Sequence, residues 1–274
     1  MAVKVYPIVA GEFRVDGGAM FGVVPRVLWE RQYKPDDKNR IRQVLRVLLI
    51  IDADRNILVD VGAGNGHEAK FIKNYGLENA DFDFDEALAN YDLSTNDITD
   101  VILTHLHFDH AGGWMTKKGA ELVPTFANAR AWVQKGQLTW AQKSSPIDKA
   151  SYMEAYIKPL AQWPKLEVIE GEHQITDNVS VMTVHGHTPA MQMVMAQNNE
   201  EKHFFPSDLL PTAGHLHIPY IAAYDHNTVM VSQEKQSILD KACREKWIIY
   251  FCHDPDVAKG QVILGKRKFT IKAN

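Results

Sequence analysis

The seven residues Thr104-His105-Leu106-His107-Phe108-Asp109-His110 constrain this chain more than any other feature. They follow Asp100-Val101-Ile102-Leu103, a short, continuous, β-branched run of the kind expected for a strand buried on both faces. In an extended backbone, residues two apart point to the same side, so His105 and His107 can reach one cation. Asp109 and His110 come next and, as the chain turns, can face a second. Ala111-Gly112-Gly113 supplies small residues for a close backbone turn and a helix start. Four ligating side chains within six residues make an incidental polar loop a poor account.

Two ions need more donors than one loop offers. His185-Gly186-His187-Thr188-Pro189 follows the apolar run over 179–184, and spacing alone leaves His185 and His187 as equal candidates. Asp208 follows Phe204-Phe205-Pro206-Ser207, where a carboxylate could bridge two ions with one oxygen to each. His253 ends the buried-looking run Trp247-Ile248-Ile249-Tyr250-Phe251-Cys252. In each case a strand runs into a ligand, as a site at one edge of a sandwich requires. Cys252 is expected to be a buried structural thiol, since neighbours in a strand point to opposite faces.

The remaining pattern suits an α/β chain. Strands are predicted over 44–51 and 56–60, with Asp52-Ala53-Asp54-Arg55 as a hairpin turn, and then over 100–104, 166–169, 179–184, 191–196, 203–205 and 247–251. Helices are predicted over 68–75, 85–91, 135–143, 149–160 and 232–244. Strands in both halves with helices among them suggest two packed sheets with helices outside. No repeat or linker stands out, so residues 1–274 are read as a single domain. A net charge of −4 argues against a nucleic-acid binder, and Lys266-Arg267-Lys268 is read as a solvated strand. No run of about 18 apolar residues occurs, so no membrane-spanning helix is expected. The start Met1-Ala2-Val3-Lys4-Val5-Tyr6-Pro7 lacks signal-peptide character, which predicts either a cytoplasmic protein or a mature, trimmed form. Two cysteines, Cys243 and Cys252, cannot build a disulfide framework or a cysteine-rich zinc site.

Thr104 to His110, Gly186-His187-Thr188-Pro189, Ser207-Asp208 and Cys252-His253-Asp254 resemble the successive metal motifs of the metallo-β-lactamase superfamily. Asn56 to Gly62, with Asp60, resembles its first motif, in which the aspartate supports the metal loop without binding metal. The resemblance runs from about residue 45 to residue 255. It implies a four-layer αβ/βα sandwich with the metals at the sheet edge. It selects His187 over His185 and assigns His105, His107 and His187 to one ion. Asp109, His110 and His253 go to the other, with Asp208 bridging. The implied chemistry is attack by a metal-bridging hydroxide, with Asp109 shuttling the proton to the leaving oxygen. Zinc suits these ligands, and manganese, iron or cobalt remain open.

Asp16-Gly17-Gly18-Ala19-Met20-Phe21-Gly22, the segment from Ser207 to His215, and Ala223-Tyr224-Asp225 resemble quorum-quenching lactonase-like members. That implies a small-molecule substrate, with N-acyl-homoserine lactones first. Met20, Phe21 and Trp29 are then expected to form an apolar wall for the acyl chain. The lactonases carry a tyrosine three residues after the bridging aspartate, where this chain has Pro211. Its role is expected to pass to Tyr220, Tyr224 or His215. The stretch from Gly113 to Thr183, rich in Trp and Tyr, is expected to cap the site or to form a homodimer interface. The competing functions are a phosphotriesterase or arylesterase and, from another class, a non-catalytic binding protein retaining the fold.

Overall fold

The run over 44–51 reads as continuously apolar because its two faces meet two different cores. Leu45, Val47 and Leu49 pack to one side of their sheet, and Leu48 and Ile50 pack to the other. The same alternation divides Val101 from Ile102 and Ile249 from Ile248. A strand buried on both faces cannot lie on the surface of a two-layer protein. It needs a layer on each side.

The computed structural model describes residues 3–78, 82–198, 201–266 and 268–272. One sheet runs, in spatial order, Lys4–Asp16, Arg40–Asp52, Arg55–Val59, Asp100–Ile102, Arg130–Gln134 and Leu166–Ile169. The other runs Phe269–Lys272, Lys259–Leu264, Ile248–Tyr250, Lys202–Phe205, Met191–Gln197, Val179–Val184 and His173–Gln174. Between the sheets lie Leu48, Ile57, Val59 and Ile102 from the first, with Val181, Val194, Phe205 and Tyr250 from the second. Leu88, Tyr156 and Leu160, from helical segments, cover the outer face of the first sheet. The helix Thr228–Glu245 covers the second through Val231, Leu239 and Ala242. The order is helix, sheet, sheet, helix, the four-layer sandwich that the motifs implied.

The hairpin turn falls where expected, with Arg40–Asp52 pairing antiparallel to Arg55–Val59. The helix predicted over 149–160 is in fact two pieces, Lys149–Ser151 and Glu154–Ala161. Tyr152 between them is extended, and its hydroxyl lies 2.9 Å from Thr188 Oγ1, beside His187. Lys4–Asp16 and the last two strands, Lys259–Leu264 and Phe269–Lys272, escaped the sequence reading. They lie toward sheet edges, where mixed polar and apolar residues give little period. Lys266 and Lys268 sit in the turn joining those last two strands and not in a strand; Arg267, like Met1 and Ala2, lies outside the described residues. Among the described residues, no helix is long and apolar enough to cross a membrane.

Two backbone segments are locked together beneath the site. Val61 N–H donates to His110 O at 2.8 Å and Gly113 N–H to Gly62 O at 2.9 Å. A Cβ at Gly112 or Gly113 would sit about 2 Å from the carbonyl oxygens of Ala63 and Val61. Backbone cannot yield that much without opening the loop. Gly113→Ala should therefore destabilise the fold by at least about 1–3 kcal/mol, the usual cost of overpacking. A lowered urea midpoint checks this, and an unchanged midpoint would show that the loop gives way.

Candidate metal centre

Strand ends deliver the ligands. Asp100–Ile102 leads into His105 and His107, Val179–Val184 into His187, Lys202–Phe205 into Asp208, and Ile248–Tyr250 into His253. Asp109 and His110 stand on the short helical turn Phe108–Ala111. The structure gathers these side chains into two quartets: His105, His107, His187 and Asp208, and Asp109, His110, Asp208 and His253. Asp208 belongs to both. Its Oδ2 lies 3.4 Å from His187 Nε2, and its Oδ1 lies 3.2 Å from both His110 Nε2 and His253 Nε2.

The donor atoms fit divalent cations. His105 Nε2 lies 3.1 Å from His107 Nδ1, which lies 3.3 Å from His187 Nε2; His110 Nε2 lies 3.1 Å from His253 Nε2. Metal–nitrogen bonds of about 2.0–2.1 Å in a tetrahedron put ligand atoms roughly 3.3–3.4 Å apart. The observed separations match that edge closely. Buried imidazole nitrogens facing one another at this distance repel unless a cation or shared protons lie between them.

The charge states agree. Burial, reinforced by the neighbouring imidazoles, pushes His105 and His107 well below the usual histidine range and keeps both neutral. Burial alone would raise Asp208, but His110 and His253 outweigh it and hold the carboxyl well below the usual range. His110 and His187 are raised: burial opposes this, and Asp208, with Asp109 at His110 and Asp225 at His187, prevails. Neutral His105 and His107 beside an ionised Asp208 are in the form that binds metal, and the carboxylates that favour a proton on His110 and His187 would equally favour a cation in its place.

The ring nitrogen on the far side of most ligands is held in place. His110 Nδ1–H donates to Asp60 Oδ2 at 2.8 Å, and Asp60 also accepts from Thr104 N–H at 2.8 Å and Thr104 Oγ1–H at 2.9 Å. Asp60 is thus the support beneath the metal loop, outside both quartets. Its φ of +59° bends the chain out of Arg55–Val59 and under that loop. His253 Nδ1–H donates to Val44 O at 2.9 Å. His187 Nδ1–H donates to Asp225 Oδ1 at 2.7 Å, and Asp225 Oδ2 accepts from Ala222 N–H. Sequence reasoning gave Asp225 no role, because it stands 38 residues from His187 in an irregular segment. Glu234 was missed likewise; its carboxylate accepts from the N–H groups of His185 and Gly186 and shapes the turn before His187. His185 itself is exposed, and its ring accepts from Ala190 N–H.

Cys252 is buried and outside both quartets, but the alternation argument that placed it there does not apply. The strand ends at Tyr250, and the Cys252 thiol donates to Asp208 Oδ1 at 3.3 Å. Burial, then Asp208, raises its pKa well above the usual thiol value, so it is a neutral donor that steadies the shared carboxylate.

A cavity of about 140 Å³ opens above the quartets, floored by Asp109, His187 and Asp208. Phe13, Val15 and Phe108 form an apolar wall, and Tyr75, Ile147 and Tyr224 also line the space. Five expected substrate contacts, Met20, Phe21, Trp29, His215 and Tyr220, stand elsewhere. Phe21 is fully buried and stacks on Trp29 and His215, with centroids 5.6 and 5.0 Å away, which makes it core. Met20 is buried beside it, and its carbonyl accepts from His215 Nε2–H at 3.0 Å. His215 Nδ1 pairs with Thr212 Oγ1 at 2.7 Å, and burial, then Lys235, lowers its pKa to about 3. It is a neutral staple between two loops. Tyr220 packs edge-on against Phe21 and does not line the cavity, whereas Tyr224 does. Of the aromatic stretch, Tyr156 donates to Leu106 O at 3.0 Å and so braces the metal loop, while Trp163 Nε1–H donates to Ala129 O at 2.9 Å just before the strand Arg130–Gln134.

A four-layer sandwich whose edge gathers two ligand quartets around one carboxylate defines a class of proteins built for a dinuclear metal centre. Within that class, the chain belongs to the metallo-beta-lactamase superfamily, whose model matches residues 45–253. Curated relatives include N-acyl homoserine lactonases of a Bacillus species, 27% identical over 170 residues, and of Bacillus cereus, 27% over 169. Each match covers 60% of this chain and 59% of the relative, so the chain spans under two thirds of their length. Among solved structures, a Staphylococcus aureus protein named as a probable metal-dependent hydrolase is 26% identical, with a TM-score of 0.89 over 99% of this chain and 98% of that one. AidC, a dizinc quorum-quenching lactonase in complex with a product, is 18% identical, with a TM-score of 0.79 over 99% and 94%, and shares the fold.

Two variants test the centre. Asp208→Ala removes an oxygen from both quartets, and the purified protein should retain fewer than about one ion per chain. Asp225→Asn leaves His187 without its carboxylate acceptor and should weaken metal affinity by about 10–100-fold, measured by competition with a chelating dye. A two-ion Asp208→Ala protein would show that the carboxylate does not bridge.

Proposed function

We propose that this protein is a two-metal hydrolase of lactone and ester bonds, with N-acyl-homoserine lactones as its leading substrates and zinc as its metal. One observation carries the reading. Asp208 spans both quartets at the floor of a cavity that also exposes Asp109 and an apolar wall. Two divalent ions held there supply a water of lowered pKa and a Lewis acid for a carbonyl oxygen.

The chain's own residues do the rest. His105, His107 and His187 would hold one ion, and Asp109, His110 and His253 the other, with Asp208 shared between the two sets. Asp109 Oδ2 faces His110 and His253 at 3.7 and 3.5 Å, which leaves Oδ1 to take a proton from the attacking water. The same oxygen returns it to the alkoxide released when the ring C–O bond breaks. Phe13, Val15 and Phe108 present the surface an acyl chain needs and exclude water from the reacting centre. The lactonase names among the relatives support this substrate class over phosphotriesters, and intact quartets favour an enzyme over a binding protein that keeps only the fold.

On zinc-loaded protein, a pH-stat comparison of N-hexanoyl-homoserine lactone, an aryl ester and paraoxon should give the lactone the highest kcat/KM, by about tenfold or more. Turnover of paraoxon with none of any lactone would defeat the reading. Failure on all three, with two ions bound, would return the binding protein.

A further inference from the structure

Pro211 stands where the resembled lactonases carry a tyrosine, and the structure withdraws two of the three expected replacements. His215 has both ring nitrogens engaged within the core, and Tyr220 lies outside the cavity. Among the cavity-lining side chains, those able to donate a hydrogen bond without belonging to a quartet are Tyr75, Ser151 and Tyr224. Ser151 reaches one atom beyond its Cβ. Tyr224 is 44% exposed, at the mouth.

Tyr75 differs from both in being held. It ends the helix Ala69–Tyr75, whose left-handed cap at Gly76 returns an N–H to Ile72 O. Its ring packs on Phe71 at 4.5 Å and on Phe108 at 4.9 Å, and Phe108 immediately precedes Asp109 in the metal loop. The phenol is thus fixed against the residue next to Asp109, and it lines the same cavity as Asp109 and Asp208.

Resting on the proposed hydrolase reading, we infer that Tyr75 donates the hydrogen bond that orients the scissile carbonyl and holds its oxygen as negative charge develops. No proton leaves the phenol; the O–H bond stays intact throughout. Burial, then the Asp109 carboxylate, pushes the Tyr75 hydroxyl above its ordinary range, so it remains a donor at any working pH. A fixed donor aimed at a developing oxyanion is worth about 10²–10³ in kcat when it is a principal source of stabilisation. Beside two cations its share is smaller.

Tyr75→Phe keeps the ring against Phe71 and Phe108 and removes only the hydroxyl. In the zinc-loaded protein it should lower kcat by about 10–100-fold, with KM changed less than about threefold and two ions retained. Calorimetry with the ring-opened hydroxy acid, whose carboxylate accepts the same hydroxyl, should show affinity about 5–10-fold weaker than wild type. Wild-type kcat and product affinity in Tyr75→Phe would overturn the assignment. So would loss of activity in Tyr75→Leu alone, which would reduce Tyr75 to packing. A wild-type protein inert toward lactones and esters fails the functional reading instead, and the calorimetric comparison then still decides whether the hydroxyl touches the bound acid.

Discussion

Everything in the site is arranged around the Asp208 carboxylate. One oxygen faces His105, His107 and His187, and the other lies 3.2 Å from both His110 and His253. A carboxylate shared in this way sets the spacing of the two quartets. It also explains why Asp208 is ionised despite burial, with imidazoles around it and a neutral thiol on its flank. The four-layer architecture serves the same end. Strands buried on both faces can only stop at an edge, and the loops leaving that edge bring together ligands from distant parts of the chain.

Aiming the imidazoles is a separate task. Asp60 serves His110, Asp225 serves His187, and the Val44 carbonyl serves His253, each through the ring nitrogen away from the centre. A hydrogen bond there fixes the tautomer and makes the other nitrogen a better ligand. Asp60 also binds the backbone and hydroxyl of Thr104, so the loop and one of its ligands are set by a single carboxylate. Gly112 and Gly113 let the two segments approach to backbone contact, which places Asp60 under His110.

The candidate ligands were legible in the sequence because ligand chemistry is coded locally, as imidazoles and carboxylates at the ends of apolar runs, whereas the choice of His187 over His185 and the division into two sets came from the family resemblance. The layers were legible for a similar reason, since a continuous β-branched run has two faces to bury. The substrate wall was not. Phe21 and Met20 follow a glycine-rich segment, but Trp29, His215 and Tyr220 pack around Phe21 and join it to the core that backs the first sheet. Tyr75 gave no signal, being one aromatic on a short helix of the kind that packs cores everywhere. The alternation used for Cys252 failed because the strand ends two residues earlier.

By itself the sequence determined which side chains can hold cations and in what order strands present them, because those properties belong to residue type and short-range spacing. Only the tertiary structure decided which partner steadies each ring, and which tyrosines face the cavity. Those contacts join residues as far apart as the 209 positions between Val44 and His253. They depend on how two sheets close over a common core, and no local pattern records that.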